Sequence, residues 1–156
     1  MDRLAGKNIL VCGGATGIGA ETARRLSGEG ARVGVGDCNI DAANALAQEL
    51  NAHGDHAAAW YYDQADEASI NALLETALTH FDGLDGVFAN AADMGVLLED
   101  GDILSNDASI WQRTLSVNVT GTALLLRAAL PHLLQRGGGS LVLTSSSAST
   151  IGEAER

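Results

Sequence analysis

The fold follows from Gly13-Gly14-Ala15-Thr16-Gly17-Ile18-Gly19, a glycine-rich stretch between an apolar run and a helix-forming segment. Glycines at this spacing let the backbone turn tightly between a strand and a helix and approach a phosphate closely. The free N–H groups and the dipole of the helix N-terminus stabilise a bound pyrophosphate. The stretch therefore predicts a dinucleotide-binding turn, and the alternative is a glycine-rich turn that holds no ligand.

An acidic residue follows the second apolar run, since Asp37 lies 18 positions beyond Gly19. A carboxylate at this point accepts hydrogen bonds from both hydroxyls of an adenosine ribose and repels a 2′-phosphate. No arginine adjoins Asp37. The sequence therefore predicts NAD rather than NADP, and the alternative is an aspartate that only ends a strand.

Apolar runs of strand length alternate with longer helix-compatible segments along the chain. The predicted strands are Asn8–Cys12, Arg32–Gly36, Ala57–Tyr61, Leu84–Ala89 and Ser140–Thr144. The predicted helices run from Glu21 through Leu26, from an N-cap at Asp41 to Leu50, over Ile70–Leu78, and from Ala108 to about Gln135. This alternation predicts an α/β fold of parallel strands joined by right-handed helical crossovers. No linker interrupts it, so we expect one domain over residues 1–156.

The composition disfavours two classes of partner. Twenty acidic residues against nine Lys and Arg give a net charge of −11, which repels nucleic acids and anionic lipid surfaces. The most apolar segment, Ala123–Leu134, is interrupted by Arg127 and His132, so we expect no membrane span. The N-terminus has no apolar signal region, which predicts a cytoplasmic protein.

Metal binding is not expected from this sequence. Cys12 and Cys38 are isolated, so they predict two small buried apolar side chains rather than a disulfide or a zinc site. The irregular segment 93–107 carries Glu99, Asp100 and Asp102, whose spacing fits no calcium loop. These three acids are expected to lie in a solvated loop.

The glycine stretch and several later motifs resemble those of the short-chain dehydrogenases/reductases. Cys12 stands where threonine is usual in the family's glycine motif. Asp63 corresponds to an aspartate that hydrogen-bonds the adenine amino group in relatives, although it could instead cap a helix or form a turn. Ala89-Asn90-Ala91-Ala92 resembles the family's N-N-A-G segment, which implies that Asn90 and Ala91 line the cofactor. The alternative for Asn90 is a structural turn residue.

Two further motifs of the same family carry catalytic roles. Val117-Asn118-Val119-Thr120-Gly121 resembles V-N-x-x-G, whose asparagine holds a water of the proton relay in relatives; the alternative for Asn118 is a buried polar bridge. An asparagine in a helix of Leu, Val and Ala needs a polar partner. The strand before Ser145-Ser146-Ser147 resembles the one that delivers the catalytic serine, a role that falls on Ser146 or, one residue earlier, on Ser145. The alternative is a solvated serine loop.

The family's general acid/base is a tyrosine about a dozen residues beyond the serine, followed four residues later by a lysine. The chain ends at Arg156; its tyrosines are Tyr61 and Tyr62, and its one lysine is Lys7. The resemblance therefore implies a Rossmann-type doubly wound sheet of order 3-2-1-4-5 without the family's last strands. It implies an NAD-dependent oxidoreductase, acting on a small-molecule carbonyl or alcohol, whose Tyr and Lys come from a missing or separate C-terminal part. Relatives are often homo-oligomers built on the long helix.

Two other functions remain open at this stage. The first is a truncated, non-catalytic domain that binds NAD or a protein partner. The second is another Rossmann-type nucleotide binder, such as a methyltransferase, against which the matches at Asn118 and Ser146 argue.

Overall fold

Five strands alternate with helices along the chain in a computed structural model that describes residues 2–53 and 56–151. The strands are β1 (Asn8–Cys12), β2 (Arg32–Asp37), β3 (Ala57–Tyr61), β4 (Gly86–Ala89) and β5 (Ser140–Leu143). The helices are α1 (Gly17–Gly28), α2 (Ile40–Leu50), α3 (Glu67–Phe81), α4 (Ala108–Thr114) and α5 (Thr122–Gln135), with a π-helical turn at Leu115–Gly121 between the last two. Short 3-10 turns lie at Asn51–His53, Gly95–Leu98 and Ser147–Ser149.

The strands form one parallel sheet in the order β3-β2-β1-β4-β5, as the sequence predicted. Val11 of β1 pairs with Val35 of β2 on one side and with Phe88 of β4 on the other. The chain moves outward to β2 and β3 on one side of β1, and then to β4 and β5 on the other. A crevice therefore opens beyond the carboxyl ends of β1 and β4, where ligands of such sheets bind.

The two faces of the sheet carry separate apolar layers. Leu10 points toward α3 and α5 and packs with Leu73 and Leu125, whereas its neighbour Val11 packs with Ala23 of α1 and Ala43 of α2. All these side chains are buried. Apolar runs without polar alternation, as in β1, are typical of parallel strands covered on both faces.

Two sequence predictions about the end of β2 are wrong. The N-cap of α2 is Asn39, whose side-chain oxygen accepts a hydrogen bond from Ala42 N at 3.1 Å, and Asp41 lies inside the first helical turn. Cys12 is buried in β1 as expected, but Cys38 is exposed. The reason is that β2 ends at Asp37, so the chain has already left the sheet at Cys38.

The predicted long helix is present over residues 108–135, but its hydrogen bonding changes to the π type around Asn118. By length and composition this helix could cross a membrane, since its best 18-residue window has a mean hydropathy of 1.2. In the fold, its buried residues Leu125, Ala129 and Leu133 pack in the layer between the sheet and α3. The outer face of the helix leaves Trp111, Leu115, Val119, Leu130 and Leu134 exposed.

Among the described residues, β5 pairs only with β4 and forms one edge of the sheet. The side chains of Val142 and Leu143 are about half exposed there. On the α1 face, an open cleft of about 860 Å³ lies between Leu26 of α1 and the strand residues Phe88 and Val142. This part of the sheet therefore presents apolar surface that the described chain does not cover.

Candidate functional site

The predicted site residues lie at the carboxyl ends of the strands, because all five parallel strands end on the same side of the sheet. The glycine turn follows β1, Asp37 ends β2, Asp63 follows β3, Asn90 follows β4 and Ser146 follows β5. Asn118 lies on the long helix, and its side chain contacts the segment that follows β4 at the same end of the sheet. The fold thus brings together residues from six separate parts of the sequence.

The glycine turn is anchored to the end of β2. The amide of Gly13 donates a hydrogen bond to Gly36 O at 2.7 Å, and Gly14 N lies 3.2 Å from the same oxygen. Helix α1 then begins at Gly17, and the side chain of its N-cap, Thr16, makes no capping hydrogen bond. The first turn of α1 contains no acidic residue. The end of this helix therefore keeps the unshielded N–H groups and positive dipole that favour a phosphate.

Gly19 is required by the close approach of α1 to the turn. A Cβ atom at this position would lie 2.0 Å from Gly13 O and 2.9 Å from Asn90 Nδ2. The φ angle of Gly13 is +79°, a region that L side chains rarely adopt. The backbone of residues 13–19, which we call the cradle, is therefore packed too tightly for side chains at these two positions.

Asn90 holds this cradle from the β4 side. Its Nδ2 donates to Gly13 O at 2.9 Å, and its backbone amide donates to Cys12 O at 3.0 Å. The Thr144 hydroxyl donates to Asn90 Oδ1 at 2.9 Å. The Asn90 side chain thus ties the glycine turn to the end of β5, and its contact with a cofactor stays a prediction. Ala91 packs its backbone against Gly13.

The carboxylate of Asp37 lies against the same turn. Its Oδ2 accepts a hydrogen bond from Ala15 N at 3.0 Å, and its Oδ1 accepts one from Asn39 N at 2.9 Å. Because a carboxylate offers about four lone-pair positions, two backbone bonds leave acceptor capacity for a ligand hydroxyl. Burial and the neighbouring Asp37 carboxylate raise the pKa of the Cys38 thiol.

Asp63 forms a turn rather than a helix cap. Its Oδ1 accepts a hydrogen bond from Ala65 N at 2.8 Å, whereas the N-cap of α3 is Asp66, which accepts from Ala68 N at 3.0 Å. The helix-cap alternative for Asp63 is therefore wrong. Its contact with adenine stays a prediction.

Asn118 finds its polar partner across the site. Its Oδ1 accepts a hydrogen bond from the backbone amide of Asp93 at 3.0 Å, and its own carbonyl accepts one from the Thr122 hydroxyl at 3.0 Å. The π-helical turn places Asn118 in the segment where the regular i→i−4 pattern is interrupted. Such turns occur frequently at functional sites.

The segment after β4 is ordered by its own polar side chains. Arg113 of α4 pairs with Asp93 at 3.0 Å and with Glu99 at 2.8 Å, and both partners raise the pKa of the Arg113 guanidinium. Asp100 accepts from Asn106 Nδ2 at 2.6 Å, and Asp102 accepts from Ser105. Within residues 2–53 and 56–151, no cluster of His, Cys, Asp and Glu has the makings of a metal site.

Gln64 is a buried residue of this region that sequence reasoning missed. Its Nε2 lies 3.0 Å from Ala91 O and 2.7 Å from Val117 O, and its Oε1 accepts from the Tyr62 hydroxyl at 2.9 Å. Only 3% of Gln64 is exposed. A lone glutamine has no sequence signature, and its only signal was its place between Asp63 and the following helix.

Ser146 follows β5 where the strand passes the end of β4. The amide of Thr144 donates to Ala89 O at 3.0 Å, which extends the strand pairing to the point where the serines begin. Ser146 Oγ accepts a hydrogen bond from Ala148 N at 3.2 Å and caps the short 3-10 turn. The assignment of the catalytic role to Ser146 or Ser145 stays a prediction.

Neither tyrosine is placed to act beside Ser146. Tyr62 is 2% exposed. Its burial and, to a smaller extent, the nearby Cys12 raise the pKa of the Tyr62 phenol. Burial also raises the pKa of the Cys12 thiol. Tyr61 ends β3, which is the outermost strand on the side of the sheet opposite β5. Neither tyrosine therefore lies at the carboxyl end of β5, where Ser146 is.

A doubly wound parallel sheet, with a glycine turn after its first strand and an aspartate at the end of its second, is typical of the class of Rossmann-type folds. Within this class, the chain belongs to the short chain dehydrogenase family, whose pattern matches residues 7–156. The family prediction made from the sequence is confirmed.

Individual relatives are alcohol dehydrogenases. The chain is 36% identical over 145 residues to 2,5-dichloro-2,5-cyclohexadiene-1,4-diol dehydrogenase of Sphingobium indicum, covering 93% of the chain and 56% of that protein. It is 36% identical over 151 residues to D-threitol dehydrogenase of Mycolicibacterium smegmatis, covering 96% and 56%. A solved 7α-hydroxysteroid dehydrogenase, in complex with NADH and 7-oxo glycochenodeoxycholic acid, superimposes with a TM-score of 0.90 at 27% identity, covering 98% of this chain and 58% of that one. The chain thus spans a little over half the length of these relatives.

Proposed function

We propose that the chain is the cofactor-binding portion of an NAD-dependent short-chain dehydrogenase that interconverts a secondary alcohol and a carbonyl. The observation that carries the proposal is the Asp37 carboxylate, held against the glycine turn by Ala15 N at 3.0 Å. The tight glycine turn, in which a Cβ atom at Gly13 or Gly19 would clash with Ala91 or with Gly13 O, and the uncapped start of α1 are typical of a pyrophosphate site. NAD, when bound, supplies or accepts the hydride.

The other site residues take the following roles in this proposal. Asp37 accepts hydrogen bonds from the adenosine ribose and repels a 2′-phosphate. Asp63 lies toward the adenine, and Ala91, next to Asn90, lines the cofactor. Ser146 holds the oxygen of the substrate by a hydrogen bond that strengthens in the transition state. Asn118 holds a water that passes the substrate proton onward.

We propose further that the general acid/base is supplied by a missing or separate C-terminal part. The chain has no Tyr-x-x-x-Lys, because residues four positions after Tyr61 and Tyr62 are Ala65 and Asp66 and its one lysine is Lys7. The exposed edge at β5 and the open cleft over β4 and β5 offer surface for such a part. The chain covers 56% of the length of one relative and 58% of another.

Relatives named for cyclohexadiene diols and threitol favour a small-molecule alcohol or carbonyl as the substrate. The exposed apolar side chains of the long helix favour self-association, since large exposed apolar residues are typical of contact surfaces. We therefore include a homo-oligomer in the proposal.

Alkylation of Cys38 tests cofactor binding by the chain itself. Cys38 is exposed beside Asp37, and the other cysteine of the sequence, Cys12, is buried. If NAD covers Asp37, iodoacetamide should label Cys38 about tenfold more slowly at an NAD concentration ten times its Kd, because only the free chain reacts. The modified peptide is quantified by mass spectrometry over time.

Two controls accompany this labelling experiment. NADP at the same concentration should protect much less, and Cys38→Ser should abolish the fast labelling. An unchanged labelling rate at saturating NAD, with Cys38 confirmed as the labelled residue, would contradict the proposed position of the adenosine ribose.

A denaturing intact-mass spectrum of native material tests the catalytic half of the proposal. We expect a longer parent, or a companion fragment, that contains Tyr-x-x-x-Lys. A lone 16.0 kDa species that binds NAD without turning over alcohols would contradict catalysis and favour the non-catalytic NAD-binding domain.

A further inference from the structure

The amide of Gln64 joins three separate parts of the proposed site. Its Nε2 reaches Val117 O at 2.7 Å, Ala91 O at 3.0 Å and the Thr122 hydroxyl oxygen at 3.2 Å. Ala91 follows β4, Val117 precedes Asn118 in the π-helical turn, and Thr122 begins α5. These partners lie 27, 53 and 58 residues away along the chain. A single buried amide group therefore bridges the cofactor-lining segment and the turn that carries Asn118.

A hydrogen bond from Tyr62 sets the orientation of the Gln64 amide. The phenol donates to Gln64 Oε1 at 2.9 Å, so the oxygen end of the amide is occupied and the NH₂ end faces the carbonyl groups. Tyr62 is itself buried, at 2% exposure. Because water does not compete at these positions, each bond that is lost leaves a buried polar group without its partner.

Gln64 contacts the π-helical turn directly. A π turn interrupts the regular i→i−4 hydrogen bonding, so its carbonyl groups can accept from donors outside the helix. Gln64 supplies one to Val117 O directly. The approach is close, since a Cβ atom on Gly121 would lie 2.1 Å from Gln64 O. Glycine at this position thus lets the Gln64 segment and the turn pack backbone to backbone.

We propose that Gln64 is a positioning residue of the dehydrogenase site, which clamps the π-helical turn of Asn118 to the end of β4. The inference rests on the proposed function. Gln64 acts through Ala91 and Asn118 and is buried away from ligands. Because Ala91 and Asn118 lie on the β4 side of the switch point, the clamp orders the nicotinamide half of the crevice. The Gln64 amide makes no contact with Asp37, which holds the adenosine half on the β2 side.

The clamp is tested by measuring the Kd of the Gln64→Met variant for NADH and for ADP-ribose. Both ligands share the adenosine half, and only NADH carries nicotinamide. Methionine has a similar volume but removes the amide. We expect the Kd for NADH to rise about tenfold, as a buried polar contact is lost, and the Kd for ADP-ribose to change less than about twofold. The matched control is Gln48→Met, which makes the same replacement at an exposed position of α2. This variant should leave both Kd values unchanged.

Hydrogen exchange of the Asp93 amide gives a readout that is independent of ligand. This amide donates to Asn118 Oδ1, so release of the π turn should accelerate its exchange, whereas amides of α2 should keep their wild-type rates. A purely structural role would instead accelerate exchange throughout the chain. Gln64→Glu retains the acceptor for Tyr62 but loses both donors, and it serves as the second variant where Gln64→Met does not fold.

Unchanged Asp93 exchange and an unchanged ratio of the two Kd values in the Gln64 variants would overturn the clamp. If wild-type chain binds neither NADH nor ADP-ribose, the proposed function fails, and the Asp93 exchange rate still decides whether Gln64 holds the turn. The two failures are therefore distinguishable.

Discussion

Replacement of Gly19 by alanine is expected to weaken NAD binding at least about 100-fold. The new Cβ atom would lie 2.0 Å from Gly13 O and 2.9 Å from Asn90 Nδ2, so the glycine turn and α1 must move apart. The same displacement breaks the contact from Asn90 Nδ2 to Gly13 O. A shift in the backbone groups that face the pyrophosphate removes several hydrogen bonds at once, and a loss of about 2.7 kcal/mol corresponds to this factor. The overpacking should also lower the free energy of unfolding by about 1–3 kcal/mol.

Gly28→Ala provides the matched control in the same helix. A Cβ atom at Gly28 meets nothing within 4 Å, and alanine is the better helix former. Isothermal titration with NADH and urea unfolding should therefore give wild-type affinity and equal or higher stability for this variant. Wild-type NADH affinity in Gly19→Ala would show that the cradle does not hold the pyrophosphate.

Replacement of Asp37 by alanine is expected to weaken NAD binding about 10–100-fold and to remove the preference for NAD over NADP. Hydrogen bonds to a charged acceptor contribute about 1.5–3 kcal/mol, and the carboxylate would hold the ribose hydroxyls by such bonds. The variant also loses the bond from Ala15 N, which fixes the middle of the glycine turn. Because the negative charge is gone, the 2′-phosphate of NADP is no longer repelled. The ratio of the two dissociation constants, measured by quenching or titration, is the informative quantity.

Two further variants separate charge from position in this experiment. Asp37→Asn keeps an oxygen acceptor for Ala15 N and removes the charge, so it should improve NADP binding while losing less NAD affinity than Asp37→Ala. Asp41→Ala removes an exposed carboxylate in the first turn of α2 and should leave the ratio unchanged. An unaltered ratio in both Asp37 variants would contradict its assignment to the ribose.

Local patterns were sufficient to predict the strands and the glycine turn, whereas the strand order was implied by the resemblance to the short-chain dehydrogenases/reductases. Residues 13–19 are contiguous, and their conformation depends on glycine at fixed positions and on the strand and helix beside them. Apolar runs such as β1 identify buried parallel strands in the same way. Predictions failed where the answer depended on one residue at an element boundary. Asn39 and Asp41 are both good N-caps, and only the point at which β2 leaves the sheet selects Asn39.

The sequence by itself determined the family motifs and the position of Asp37 after β2, because each depends on residues close together in the chain, and the family in turn implied the doubly wound sheet. Only the tertiary structure decided that Asn90 bridges Gly13 and Thr144, and that Gln64 bridges Ala91 and Val117. These contacts join residues 27 to 77 positions apart. A buried polar side chain is stable only where the fold delivers its partners, and no local pattern records which partners arrive.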